Sequence, residues 1–151
     1  MGTHVESIEA FKKLEGAHVG YSDYHLVTQE QVNLFAEATG DHQWIHVDPE
    51  RAKSGPFGGP IAHGYLTLSL VPIMIGQILR VDGVSMGVNY GANKVRFPSP
   101  VPVGSEIRAG ASVASIKDVP GGIEVALDVT IEVKDAPKPS CVAQIVFRYY
   151  A

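Results

Sequence analysis

The sequence has a single cysteine, Cys141, among its 151 residues. An intrachain disulfide and a cysteine-rich zinc site are thereby excluded, and a lone thiol inside an alternating apolar run reads as a small buried hydrophobe. Cations are scarce too: 12 Lys and Arg stand against 16 Asp and Glu, for a formal charge of -4. A nucleic-acid or anionic-membrane surface needs clustered Lys and Arg to neutralise phosphates, and no basic run here exceeds two residues. The most apolar segment, Tyr65 to Ile75, is too short to span a bilayer and contains Thr67, Ser69 and Pro72. The first residues lack a basic region followed by an apolar core, so they do not read as a secretory signal. The expected setting is the cytoplasm, with neither membrane nor nucleic acid as partner. Nucleotide and hydrolase motifs are missing as well, since the sequence contains no Gly-x-Gly-x-x-Gly, no Gly-x-x-x-x-Gly-Lys and no Gly-x-Ser-x-Gly.

What the chain does contain is the substance of one ordinary domain, read as residues 1–151, with 45% hydrophobic and 19% charged residues. Val5, Ile8, Phe11 and Leu14 recur at helical spacing, which predicts a short helix over 4–16 closed by Gly16. An extended piece follows around Tyr21 to Val27. Thr28 and Gln31 form a capping box, and Val32, Phe35 and Ala36 line one face of a helix ending near Gly40. Asp48-Pro49 starts a one-turn helix that Gly55-Pro56 stops. From about Ala62 to Leu79 the residues are apolar nearly all round, which predicts a buried central helix, kinked or broken at Pro72.

Beyond residue 84 the period changes to that of strands. Val84, Met86, Val88 and Tyr90 are even, Val95 and Phe97 odd, so a bulge is expected near Gly91. Pro98, Pro100 and Pro102 break the sheet, and Ile107 to Val113 resume it. Pro120-Gly121-Gly122 and Asp135-Ala136-Pro137 are turns, bracketing a strand with Ile123, Val125, Leu127, Val129, Ile131 and Val133 on one face. The last strand, about Ser140 to Tyr150, is apolar on both faces. The expected class is α+β, a curved antiparallel sheet wrapped around a central helix. Either the first thirty residues or a second subunit must cover the apolar surface left over.

Between Ala38 and Gly64 the chain gathers Asp41, three of its six histidines and its only tryptophan, with no long apolar period. A carboxylate and an imidazole beside one water can orient it and move its proton, which makes Asp41 and His46 the first acid–base candidates. Their spacing brings them together only if the chain bends, and Gly40 with the Asp48-Pro49 helix start supplies a bend. The same residues also read as a helix-capping Asp and a packed loop His. His42, His46 and His63 with Asp41 and Asp48 have the side chains of a metal site, although the spacing matches no metal motif. Gly64 stands where the central helix starts, so its N–H is an unpaired donor suited to a developing oxyanion, or the glycine serves close packing. Lys94 and Arg96 are cations at the edge of the Pro-rich break, placed to meet a polyanionic ligand or simply solvated.

Taken together, Thr39-Gly40-Asp41-His42-Gln43-Trp44-Ile45-His46, then Ala52, then Ile61-Ala62-His63-Gly64, resemble the (R)-specific enoyl-CoA hydratases, or MaoC-like dehydratases, of the hot-dog fold. Val95-Arg96-Phe97-Pro98 and Pro102-Val103-Gly104 resemble a later strand and turn of that family, and the likeness runs from about residue 20 to the end. One departure stands out: Gln43-Trp44 replaces the family's Asn-Pro. The resemblance implies a homodimer acting on a trans-2-enoyl-CoA or 3-hydroxyacyl-CoA substrate, with no metal and no cofactor beyond the CoA of the substrate. It assigns Asp41 and His46 to the water, Gly64 to the thioester oxygen and Gln43 to water or substrate. A hot-dog thioesterase and a non-catalytic acyl-CoA-binding or partner subunit are the alternatives, because a fold does not fix a function.

Overall fold

The computed structural model describes residues 2–151. The chain opens with strand β1 (Thr3–Val5) and helix α1 (Ile8–Lys12), where Ser7 accepts the Ala10 N–H as N-cap. The helix expected over 4–16 is therefore shorter, and its first residues are extended. Strands β2 (His18–Tyr21) and β3 (His25–Leu26) follow, then α2 (Gln29–Thr39). Thr28 caps α2 through the Gln31 N–H at 3.1 Å. The return half of the capping box is not made, because the Gln31 side chain pairs instead with His25 Nε2 at 2.9 Å. Gly40 ends α2 in the left-handed region at φ 84°, a conformation for which a Cβ is costly.

Two one-turn helices come next: α3 (Trp44–Val47), which no helical period announced, and α4 (Pro49–Lys53), capped by Asp48 as its Asp-Pro start predicts. The central helix is broken where proline demands it, into α5 (Gly64–Ser69) and α6 (Val71–Ile78), with Pro72 in the first turn of α6 where its missing N–H is harmless. Leu79 does not continue the helix. It begins β4 (Leu79–Val81), which pairs in parallel with β1.

The main sheet is antiparallel. Strands β5 (Met86–Arg96), β6 (Glu106–Val119), β7 (Gly122–Val133) and β8 (Pro139–Tyr150) supply its long members, in the order β2-β6-β7-β8-β5, with β3 also on β6. The β5–β8 register slips between Asn89 and Gly91, and again between Ala92 and Lys94, so the expected bulge is real and has a second beside it. Val71, Met74 and Ile78 of α6 are buried with Ile107, Ala109 and Val113 of β6 and Val125, Leu127 and Val129 of β7. Cys141 is fully buried among them, and burial pushes its thiol up to about 11. This is the hot-dog arrangement, a sheet curled round a helix.

The central helix is not buried on every side. Tyr65 is 70% exposed and Ile73 65%, and along β5 only Val95 is even half-buried. Two clefts between this helix and the sheet, lined by Pro72, Ile75, Val88, Ile145 and Phe147 among others, leave that apolar face open. Residues 2–30 lie elsewhere, β1 on β4 and β2 and β3 on β6, and do not cover it.

Gly40 gives the sharpest local test. A Cβ there would meet nothing within 4 Å, so Gly40→Ala should cost only the left-handed conformation, about 1–2 kcal/mol. In urea unfolding the midpoint should fall with an unchanged slope.

Candidate active site

Three segments converge at the start of α5. The end of α2 and Gly40 deliver Asp41, α3 delivers His46, and an extended segment delivers Ile61, Ala62 and His63. That segment is fastened on both sides. Ile61 N–H donates to the Ile45 carbonyl at 3.0 Å, Ala62 N–H to Val101 at 2.8 Å, and Val103 N–H to Pro60 at 2.9 Å. Gln29, at the start of α2, donates its amide to the His46 carbonyl at 2.8 Å, tying α2 to α3.

His46 is 6% exposed, and its Nδ1–H donates to the Ile61 carbonyl at 2.6 Å. A carbonyl only accepts, so this bond fixes the tautomer and leaves Nε2 as the basic nitrogen. Burial holds the imidazole below its ordinary range. The Ile61 bond opposes that shift, nearby His63 adds to it, and Asp41 opposes it. His46 is thus kept as a neutral base on the wall of a cleft of about 310 Å³. Asp41 is not among the residues lining that cleft, and its side chain is 51% exposed. One side-chain donor atom from each of Asp41, His46 and His63 falls within 4.8 Å of the others, so the expected convergence occurs, and these are the residues with a geometry able to hold a cation.

Gly64 is the first residue of α5 and lines the same cleft, with its N–H ahead of the intrahelical ladder. The glycine also answers a packing need. A Cβ at this position would lie 2.9 Å from the Phe97 ring, which forms the opposite wall with Pro98. Phe57 and the buried hydroxyls of Thr67 and Ser140 complete the lining, and none of the three carried a signal in the sequence.

The other candidates lie outside this group. Gln43 is exposed at the start of α3, where its carbonyl accepts from the His46 N–H and its own N–H donates to Asp41 Oδ1 at 3.3 Å. Trp44 packs under the Arg51 guanidinium, 4.4 Å from the ring centroid, and above Gly55, so it braces α3 against α4. His42 faces Glu37 at 3.5 Å, and Asp48 is occupied in capping α4. Lys94 and Arg96 are exposed on β5 next to the Phe97 wall, and Arg96 donates to the Val95 carbonyl. His63, named from sequence as a metal-ligand candidate and as part of the His-Gly motif but given no catalytic part, is buried against the pair itself. Its ring stacks on His46 at 3.9 Å and its Nε2–H donates to the Asp41 carbonyl at 2.9 Å. Its place directly before the glycine that opens α5 was the available signal.

Residues 10–134 match the family model described as MaoC like domain. Across 147 residues, 97% of each chain, the sequence is 52% identical to 3-hydroxyacyl-thioester dehydratase Z of Mycobacterium tuberculosis. It is 40% identical to nodulation protein N of Rhizobium meliloti over 143 residues, 93% of this chain and 89% of that one. Among solved structures, the (R)-hydratase of A. caviae involved in PHA biosynthesis superposes with a TM-score of 0.71 at 25% identity, covering 85% of this chain and 93% of that chain. No helix among the described residues is long and apolar enough to cross a membrane.

The His46 geometry has a thermodynamic consequence. An unfolded imidazole takes up its proton near pH 6.5, whereas the folded His46 does so at lower pH, so between the two values the unfolded state binds more protons. Its contribution to stability should be complete above about pH 6.5 and be lost as the pH falls through the folded value. Urea midpoints followed from about pH 7.5 to 5 should decline on acidification, and less steeply in His46→Gln.

Proposed function

The chain belongs to the MaoC-like domain family, and on that premise we propose that it is a hydro-lyase interconverting trans-2-enoyl-CoA and (R)-3-hydroxyacyl-CoA. The observation that carries this reading is the buried His46, fixed by the Ile61 carbonyl as a base at Nε2 with the Asp41 carboxylate beside it. A hydration needs a group that accepts a proton from water and then returns one. A neutral imidazole near physiological pH does both.

In the hydration direction, Asp41 accepts a hydrogen bond from the water and orients it. His46 Nε2 takes the water's other proton while the oxygen bonds to the β-carbon. The double-bond electrons move toward the thioester, and a proton is returned to the α-carbon on the same face, completing addition of one water. The Gly64 N–H donates to the thioester oxygen as charge gathers there, acting mainly on the enolate-like transition state; its position in the cleft lining at the first residue of α5 supports this role. The cleft walls, Phe57, Phe97 and Pro98, suit an acyl chain rather than a polar substrate. Lys94 and Arg96, near the Phe97 end, are the cations available to the CoA phosphates. Gln43, exposed at the start of α3, carries an amide within the same segment as the catalytic pair.

A homodimer belongs to the same proposal. The apolar face of Tyr65, Ile73, Val88 and Tyr90 fits a second copy of this chain, and covering it would remove water from one side of the central helix.

Crotonyl-CoA hydration, followed by loss of enoyl absorbance, tests the chemistry. Asp41→Asn and His46→Gln should each lower kcat by roughly 10²–10⁴. Full activity in both variants would defeat the assignment, and release of free CoA from a saturated acyl-CoA would favour a thioesterase. Sedimentation tests the assembly: the wild type should run as a dimer and Ile73→Glu should shift toward monomer, because a buried, unpaired carboxylate opposes association.

A further inference from the structure

His63 is the polar group that the proposed chemistry leaves unused. Its side chain is 3% exposed, and it is not among the residues lining the cleft, so it has no surface to offer the substrate. Its Nδ1 is buried with no hydrogen-bond partner among the described residues. An unpaired buried acceptor destabilises the fold. A phenylalanine or leucine would fill the space between Phe35 and His46 without that cost. The His63 ring is 4.9 Å from Phe35 on one side and 3.9 Å from His46 on the other, nearly parallel to the latter at 25°.

What an apolar ring lacks is a donor toward Asp41. Beyond Gly40 the chain has left α2, and the other local hydrogen bonds on Asp41 are long. Its N–H reaches Thr39 Oγ1 at 3.4 Å, and its Oδ1 accepts from the Gln43 N–H at 3.3 Å. The bond from His63 Nε2–H to the Asp41 carbonyl, at 2.9 Å, is the shortest of the three. Asp41, from the segment after α2, and His46, from α3, are the titratable groups set against His63, and both belong to the proposed acid–base pair.

We infer that His63 is a positioning residue for that pair: its hydrogen bond pins the Asp41 main chain, and so holds the carboxylate beside the His46 ring on which His63 stacks. This role rests on the hydratase reading for its meaning in turnover, though not for its geometry. One residue thereby holds the carboxylate and the imidazole in fixed relation to the same water. The carboxylate, exposed on a segment outside any helix, would otherwise wander.

Two variants separate positioning from packing. His63→Phe keeps the ring and the stack but removes the donor, whereas His63→Gln keeps an amide donor at similar reach and gives up the stack. With crotonyl-CoA, His63→Phe should lose roughly 100-fold in kcat, since a misplaced catalytic group costs about that much, while KM changes little. His63→Gln should stay within about tenfold of wild type. The reverse order, Phe near wild type and Gln severely impaired, would make His63 mere packing and overturn the inference.

A readout independent of turnover is the Gln43 amide resonance, which reports the Asp41 carboxylate through their hydrogen bond. It should move in His63→Phe and hold its place in His63→Gln. An unmoved resonance in both variants would overturn the inference. A wild type inactive on crotonyl-CoA but showing these shifts would count against the hydratase reading and support the positioning role. Should the Phe variant not fold, His63→Leu, which removes donor and stack together, should lose at least as much in kcat while His63→Gln stays near wild type, and a Leu variant as active as wild type would overturn the inference.

Discussion

The carbonyl of Ile61 decides what His46 can be. A buried imidazole must satisfy its N–H, and because the available partner only accepts, the proton sits on Nδ1 and the basic nitrogen is Nε2. The rest of the site is built to keep that carbonyl still. The segment carrying it is stitched to α3 on one side and to the 101–103 loop on the other, and the loop leads into β6, whose Ile107, Ala109, Ala111 and Val113 are buried in the core. The chemistry proposed for His46 therefore depends on its bond to a main-chain carbonyl in the lining of the cleft itself. Burial and that bond pull its proton affinity in opposite directions, and burial wins.

Much of the fold was legible in the sequence because alternation and punctuation survive folding. The even-odd pattern of β7, the turn residues around Gly121 and Asp135, and the slip beside Gly91 all reappear where periodicity put them. Pro72 broke the helix for the reason proline always does. The failures have physical causes. Val5 matched a helical period by coincidence, while a parallel pairing with β4, invisible to any local pattern, made it a strand. Leu79 was taken into β4 by the same pairing. Helix α3 is one turn long, too short to show a period, and Gln31 found a better partner in His25 than in its own helix start.

The site was legible in part. Asp41 and His46 converge with His63, because Gly40 and α3 supply the bend that spacing alone could not, and Gly64 lines the cleft that His46 walls. His63 escaped notice as a partner of the pair, since its role comes from a stack and a main-chain acceptor rather than from spacing. Thr67, Ser140, Phe57 and Phe97 come from distant parts of the chain, and only the fold assembles them. The exposed side of the central helix could be expected from its apolar excess, but which face lies open depends on where β5 runs.

The pairing of β1 with β4 bears on how the molecule assembles. It joins residues from opposite halves of the sequence, Val5 lying beside Val81 directly after the central helix ends. Contacts of such wide sequence separation close the largest loops and are slow to form. Meanwhile Gly2 lies so close to the end of α6 that a Cβ would collide with the Ile78 carbonyl. The first strand thus closes on the end of the central helix like a latch, and during synthesis it must wait for β4 to emerge before it has anything to pair with.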